Sequence, residues 1–139
     1  MNPEEEFQRY ASLIEYYKQQ LSSIETQFSY VQSSIMEYSQ AKITIEKIKE
    51  TKTGTEILIP IGGGTFSFAA VKNPSKILTD VGAGIIIEKT PSESIEVLEK
   101  RIENLQKNQE SLSSYSQQIQ KEMEEVSNKA QQILANAQK

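Results

Sequence analysis

The sequence predicts a mainly helical α+β protein, in which a long antiparallel two-helix coiled coil carries two β-hairpins at its centre. Apolar residues recur at alternating intervals of three and four along both flanks, which is the spacing of a coiled-coil seam. Five of the six glycines lie within residues 55–89, between short β-branched and aromatic runs that are typical of strands. We therefore divide the single domain 1–139 into helix arm 1 (2–52), a hub of two hairpins (55–89) and helix arm 2 (91–137).

The first arm opens with a strong helix start. Asn2 can cap the helix, Pro3 suits the first helical position, and Glu5 can complete a capping box. Lysines near residue 50 and Gly54 after them favour a helix C-terminus. The predicted seam residues of this arm are Phe7, Tyr10, Ile14, Tyr17, Leu21, Ile24, Phe28, Val31, Ile35, Tyr38, Lys42 and Ile45.

The second arm repeats this opening with Thr90 as the capping residue, Pro91 at the first position and Glu93 in capping-box register. Its seam has the same period as the first and contains two polar residues, Gln109 and Ser116. The predicted seam residues are Ile95, Leu98, Ile102, Leu105, Gln109, Leu112, Ser116, Ile119, Met123, Val126, Ala130, Ile133 and Ala137.

The two arms join the same short hub, so we expect them to fold back on each other. Ile45 would then lie near Ile95, and Phe7 near Ile133 and Ala137. At about 1.5 Å per residue, each arm would carry its chain terminus some tens of Å from the hub. This far end, with both termini, is called the tip below.

The tip holds more apolar residues than two helices can cover. Leu13 and Leu134 lie off the predicted seams. We favour mutual burial for Ile14, and exposure for Phe7, Leu13 and Leu134, because helix ends fray. The apolar residues of the tip are Phe7, Tyr10, Leu13, Ile14, Ile133 and Leu134.

The hub strands carry large apolar groups on both faces, whereas a hairpin with one wet face should alternate apolar and polar residues. About 35 residues cannot bury two apolar faces and hide their own strand edges. We therefore predict obligate oligomerisation, in which the hub completes a barrel or sandwich with other subunits. The residues expected to form this contact are Ile57, Ile59, Phe66, Phe68, Ile77, Val81, Ile85 and Ile87.

The composition argues against an enzyme. The chain has no cysteine and no histidine, which removes thiol nucleophiles, disulfides, Cys/His metal sites and histidine acid-base chemistry. The glycine clusters at 62–64 and 82–84 precede strand-like runs, whereas a phosphate-binding loop leads into a helix. We interpret Glu56, Asp80 and Glu88 as outward-facing strand residues. We expect no catalytic residue, no cofactor and no metal.

Charge and hydropathy restrict the partners. The net formal charge is −4, and lysines alternate with glutamates along the arms, so no basic face for nucleic acid is predicted. No apolar run approaches the roughly 18 residues that a membrane span needs. The acidic start lacks the basic and apolar regions of a signal peptide, and the absence of cysteine suits a reducing cytosol. We expect a soluble cytoplasmic protein with no nucleic-acid or membrane partner.

Two hub motifs resemble those of the archaeal-type prefoldin α-class subunits. The run from Ile57 to Gly62 resembles the family's first strand, Leu-Val-Pro-hydrophobic. The run from Asp80 to Gly84, followed by Ile87 to Thr90, resembles its second hairpin, Val-Gly-x-Gly and then hydrophobic-Glu-Lys. The resemblance covers the full chain, and two hairpins instead of one are typical of the α class.

This resemblance implies an ATP-independent holdase in a hexamer of two α-class and four β-class subunits. The hubs would form joined β-barrels, and the coiled coils would hold unfolded client proteins at their tips before transfer to a group II chaperonin. The client-contact role then falls on the six apolar residues of the tip.

Two other functions stay open at this point. A coiled-coil scaffold or filament subunit could polymerise through the strand edges of the hub and would hold no client. A nucleotide-binding enzyme is the third alternative, which detectable binding of ATP would favour.

Overall fold

A computed structural model describes residues 2–138 and confirms the mainly helical α+β class. Helix α1 ends three residues before the predicted end. Beyond it the backbone tightens into 3₁₀-type turns, in which the N–H of Glu50 donates to the Lys47 carbonyl and the N–H of Thr51 to the Ile48 carbonyl. The Thr51 hydroxyl also donates to the Ile48 carbonyl, over 2.6 Å. The elements in chain order are α1 (Pro3–Lys49), β1 (Glu56–Gly62), β2 (Thr65–Ala70), β3 (Ile77–Asp80), β4 (Ile86–Lys89) and α2 (Pro91–Ala137).

Both helices begin at the predicted caps. The backbone N–H of Glu5 donates to the side-chain oxygen of Asn2, over 2.8 Å. The backbone N–H of Glu93 likewise donates to the Thr90 hydroxyl, over 3.2 Å. Each bond satisfies a donor that the first helical turn leaves without an intrahelical partner.

The four strands form two separate antiparallel pairs, β1 with β2 and β3 with β4. Val81 and Ile85 lie just beyond the second pair, and the Val81 N–H donates to the Ile85 carbonyl over 2.9 Å. Between them Gly82, Ala83 and Gly84 all have positive φ, of 130°, 52° and 76°. This conformation is easy for glycine and unfavourable for alanine, so the tight turn carries strain at its middle residue.

The chain forms two compact units. The first comprises the residues up to Ser33 and those from Leu105 onward, and its two helical segments run antiparallel. Pro3 lines a cavity together with Ala137, while Gln32 accepts a hydrogen bond from Gln109. The buried apolar side chains of this unit are Ile24, Ile119, Val126 and Ala130, all from the predicted seams.

The second unit comprises residues 34–104 and contains the four strands with the adjacent helical segments. Its segments of α1 and α2 are also antiparallel: the Lys42 ammonium lies 3.2 Å from the Glu99 carboxylate, and the Lys49 ammonium donates to the Ser92 hydroxyl over 3.3 Å. The buried apolar side chains are Ile45, Val71 and Leu98. Within residues 2–138, neither helix offers the sustained apolar length that crossing a bilayer requires.

Candidate assembly surface and tip

The first hairpin carries an apolar surface that the second unit does not cover. Its register places Leu58 opposite Phe68 and Pro60 opposite Phe66, so these four side chains share one face of the pair. Phe68 is 75% exposed, and Leu58 and Phe66 are also exposed. Ile59 adds exposed apolar area on the opposite face, and Ile61 is also exposed, at the register irregularity between Pro60 and Gly62.

The second hairpin exposes one face and contacts α2 through part of the other. Leu78 is 72% exposed, and Ile86 is exposed on the same face. Thr79 points the other way and is buried, and its hydroxyl donates to the Ser94 hydroxyl of α2 over 2.9 Å. Both hairpins therefore present uncovered apolar strands. On β3–β4, Thr79 is covered by this contact with α2, while Ile87 opposite it on the same face stays exposed.

Six of the eight side chains predicted for the hub contact are exposed within the chain: Ile59, Phe66, Phe68, Val81, Ile85 and Ile87. The other two, Ile57 and Ile77, are half-buried. The predicted set omitted Leu58, Ile61, Leu78 and Ile86, which are all exposed. For Leu58, Leu78 and Ile86, strand alternation was the available signal, since each lies on the face opposite a predicted sequence neighbour.

At the tip, Leu134 is the most exposed of the six predicted residues, at 47%. The other five are half-buried: Phe7, Tyr10, Leu13, Ile14 and Ile133. The Tyr10 hydroxyl donates to the Glu6 carboxylate over 3.2 Å, and the Arg9 guanidinium lies 5.8 Å from the centre of the Tyr10 ring. A cavity of about 260 Å³ lies between Pro3, Glu6 and Ile133. The tip therefore presents apolar area, and its role in client contact stays a prediction.

Further along the same unit, Tyr17 of α1 lies beside the Glu122 carboxylate of α2. Burial of the phenol, followed by the negative charge of Glu122 and hydrogen bonding to it, raises the pKa of Tyr17 above its ordinary value of 10.0. Tyr17 therefore keeps its proton at neutral pH, beside the Glu122 carboxylate of the other helix.

The seam of this unit is incompletely filled around Ser116. An open cavity of about 560 Å³ is lined by apolar side chains that include Leu21, Ile24 and Leu112, with Ser116 beside them. Phe28 also lines it and is 39% exposed, although its position in the seam predicted burial. Serine contributes too little volume to close this layer of the coiled coil.

One strand carboxylate has a structural role in the second hairpin. Asp80 accepts the backbone N–H of Gly82 over 2.8 Å, which stabilises the turn. Within residues 2–138, no three Asp or Glu side chains are grouped so that they could hold a metal ion.

A comparison with family models matches residues 17–136 to the family described as "Prefoldin subunit". The prefoldin subunit alpha of Methanosarcina barkeri is 36% identical over 115 residues, covering 80% of this chain and 79% of the relative. That of Archaeoglobus fulgidus is 29% identical over 117 residues, covering 84% of this chain and 85% of the relative. That of Methanococcus maripaludis strain C5 is 34% identical over 113 residues, covering 81% of this chain and 76% of the relative.

Two solved structures share the fold. The filamentous PFD from Methanocaldococcus jannaschii matches with a TM-score of 0.76 at 18% identity, covering 86% of this chain and 98% of that one. The prefoldin beta subunit from Thermococcus strain KS-1 matches with a TM-score of 0.58 at 17% identity, covering 91% of this chain and 90% of that one. At these identities the similarity concerns the fold alone.

Proposed function

The chain belongs to the prefoldin family and is a chaperone subunit of the alpha type, and from this premise we propose that it acts as an ATP-independent holdase in a hexamer. The hexamer would contain two α-type and four β-type subunits. Residues 1–139 would act as one prefoldin-type domain, with no catalytic role and no cofactor, in the cytoplasm.

The observation that carries the assembly proposal is the uncovered apolar surface of the hub. Phe66, Phe68 and Leu78 are each more than half exposed in the single chain. Isolated strand pairs also leave unpaired backbone groups along their outer edges, which can pair with strands of other subunits. Contact with partner hubs would both cover the apolar side chains and pair the strand edges, so a β-barrel between subunits is the expected arrangement.

Client capture is proposed for the tip, which carries the residues Phe7, Tyr10, Leu13, Ile14, Ile133 and Leu134. Each tip offers a small apolar patch, of which Leu134 is the most exposed part. One such patch binds an unfolded segment weakly. Several tips acting on one client raise the overall affinity without new contacts, so the client is held firmly and still released without nucleotide hydrolysis. Transfer to a group II chaperonin would follow.

The assembly proposal is tested by mixing the chain with a β-type prefoldin subunit and measuring the mass of the complex by native mass spectrometry. A closed complex of two α-type and four β-type subunits is the expected result. An open-ended polymer would instead favour a scaffold or filament subunit. The M. jannaschii neighbour is described as filamentous, and that word applies to that protein alone.

The holdase proposal is tested on the same complex by light scattering of a chemically denatured client, without nucleotide. Removing about a dozen residues from each end should leave the hexamer of two α-type and four β-type subunits intact. The same truncation should abolish the suppression of client aggregation. Undiminished suppression by this truncated complex would contradict capture at the tip.

A further inference from the structure

Arg101 of α2 connects three elements of the second unit. Its guanidinium donates a hydrogen bond to the backbone carbonyl of Asp80, the last residue of β3. The guanidinium carbon also lies 5.9 Å from the centre of the Tyr38 ring on α1, within the range of a cation–π contact. The half-buried arginine therefore joins the end of a hub strand to both helices.

A second contact joins the same strand to the same helix. Thr79 precedes Asp80 in β3, and its hydroxyl donates to the Ser94 hydroxyl over 2.9 Å. Both hydroxyl-bearing residues are buried, with 6% of Thr79 and 2% of Ser94 exposed. Ser94 and Arg101 lie seven residues apart on α2, which is about two helical turns and therefore the same side of the helix. A single contact would fix where β3 touches α2. Two contacts along α2 also fix the direction in which the hairpin runs relative to that helix.

The first hairpin is held differently. Backbone hydrogen bonds from Gly54 to Val71 and from Val71 to Thr55 close its base, over 2.7 and 2.9 Å. Its outer side chains are free of the helices: Phe68 is 75% exposed and Ile61 is 67% exposed. The structure thus gives β3–β4 a two-point attachment to α2 and leaves β1–β2 attached at its base.

We propose that Arg101 is a positioning residue, which sets the direction of β3–β4 on α2 and makes this hairpin the rigid anchor of the assembly surface. The hairpin β1–β2 is then the adaptable part, which adjusts to the partner subunit. The inference rests on the proposed assembly through the hub. A surface that already has its bound geometry loses less conformational entropy on association, so the anchor strengthens binding without touching the partner.

Arginine suits this role better than lysine. The planar guanidinium can stack on an aromatic ring while its N–H groups donate in the plane, so one side chain serves Tyr38 and the Asp80 carbonyl together. A lysine ammonium can donate to the carbonyl, but it is a compact charge and cannot stack in this way. Because the acceptor is a backbone atom, the Asp80 carboxylate remains bonded to Gly82.

The test compares Arg101→Ala, Arg101→Lys and the control Lys100→Ala, which removes a positive charge from an exposed neighbouring position. Hydrogen exchange of residues 77–89 is measured by mass spectrometry in the chain alone, and binding to a β-type subunit is titrated. For Arg101→Ala we expect exchange of β3–β4 to become about tenfold faster and binding about tenfold weaker, given the usual strengths of the two lost contacts. Arg101→Lys should recover part of both losses, and Lys100→Ala should match the wild type.

Unchanged exchange in β3–β4 of Arg101→Ala would overturn the proposal. Faster exchange in both hairpins and both helices would overturn it as well, since that result describes general loss of stability. If the wild-type chain fails to join a β-type subunit, the assembly function is wrong. The exchange of β3–β4 in the chain alone still decides whether Arg101 sets the direction of the hairpin.

Discussion

The side-chain amide of Gln109 on α2 donates a hydrogen bond to the side-chain oxygen of Gln32 on α1, over 2.6 Å. Gln109 occupies a seam position, where an apolar residue would stabilise a coiled coil more. In the second unit, the seam residue Lys42 likewise has a partner on the other helix, Glu99, at 3.2 Å. Polar seam residues with matched partners favour one register over a shifted one, so these pairs specify the alignment of the helices at some cost in stability.

Ser116 is the seam position at which stability can be raised. Ser116→Leu places an apolar side chain in the cavity beside Leu21, Ile24 and Leu112, and we expect the free energy of unfolding to rise by about 1 kcal/mol. Thermal unfolding followed by circular dichroism at 222 nm measures the change. Ser114→Leu is the control, because Ser114 lies on the exposed side of the same helix. Equal effects of the two substitutions would show that the cavity is not filled.

Tyr17 should make the stability of the chain fall in alkaline solution. Its raised pKa means that the folded chain holds the phenol proton more tightly than the unfolded chain does. The resulting stabilisation is complete below the unfolded pKa of 10.0 and is lost as the pH rises through the higher folded pKa. Ionised Tyr17 would also place a second negative charge beside Glu122.

Unfolding temperatures of the wild type and Tyr17→Phe, measured from neutral pH to about pH 11, test this expectation. The wild type should lose more stability above pH 10 than the variant, which cannot ionise at this position. Tyr30→Phe changes an exposed tyrosine of the same helix and should retain the wild-type fall. A parallel fall in wild type and Tyr17→Phe would count against a role of the Tyr17–Glu122 contact.

Ala83 lies at φ 52°, where a side chain is unfavourable, between two glycines of the β3–β4 turn. We expect Ala83→Gly to raise the free energy of unfolding by about 0.5–1 kcal/mol, because the strain of the native turn exceeds the entropy gained by the unfolded glycine. The midpoint of guanidinium unfolding measures it. Ala70→Gly, in the regular strand β2, should lower the stability by a similar amount. A loss of stability in both variants would contradict the strain at Ala83.

Helical periodicity predicted the core well. The buried residues Ile24, Ile45, Leu98 and Ile119 all lie in the seams read from the sequence, because the spacing of apolar residues decides which side of a helix faces its partner. Phe28 is an exception, with 39% exposed, and the seam residue Ala137 near the end of α2 is exposed as well. Periodicity assigns a residue to a face, but the volume of the side chains across that layer decides how completely it is buried.

The contacts that orient the second hairpin could not be predicted in the same way. Arg101 lies among the alternating lysines and glutamates of the second arm, whose pattern predicted only that the arm has no basic face, yet it donates to the carbonyl of Asp80, 21 positions away in the sequence. Every residue has a backbone carbonyl, so an acceptor of this kind cannot be recognised from the amino-acid sequence. Thr79 and Ser94 pair across 15 positions, and small hydroxyl residues occur at many exposed sites, so their burial follows only from the packed structure.

The last prediction concerns Ile59 of β1 and Ile87 of β4, which are 45% and 42% exposed in the single chain. If the hub completes its core with other subunits, both side chains become buried on assembly. Replacing both with Asp would then bury two charges without partners, which costs several kcal/mol, so we expect helical monomers that no longer join a β-type subunit.

Ile43→Asp is a matched control for this variant. Ile43 is 46% exposed, nearly the same as Ile59, but it lies on α1 outside the predicted contact. Native mass spectrometry should therefore find the complex intact for Ile43→Asp and absent for the Ile59→Asp, Ile87→Asp pair, while circular dichroism shows similar helix content in both. A complex that survives the paired substitution would mean that these strands remain in contact with water after assembly. The apolar surface of the hub would then need another explanation.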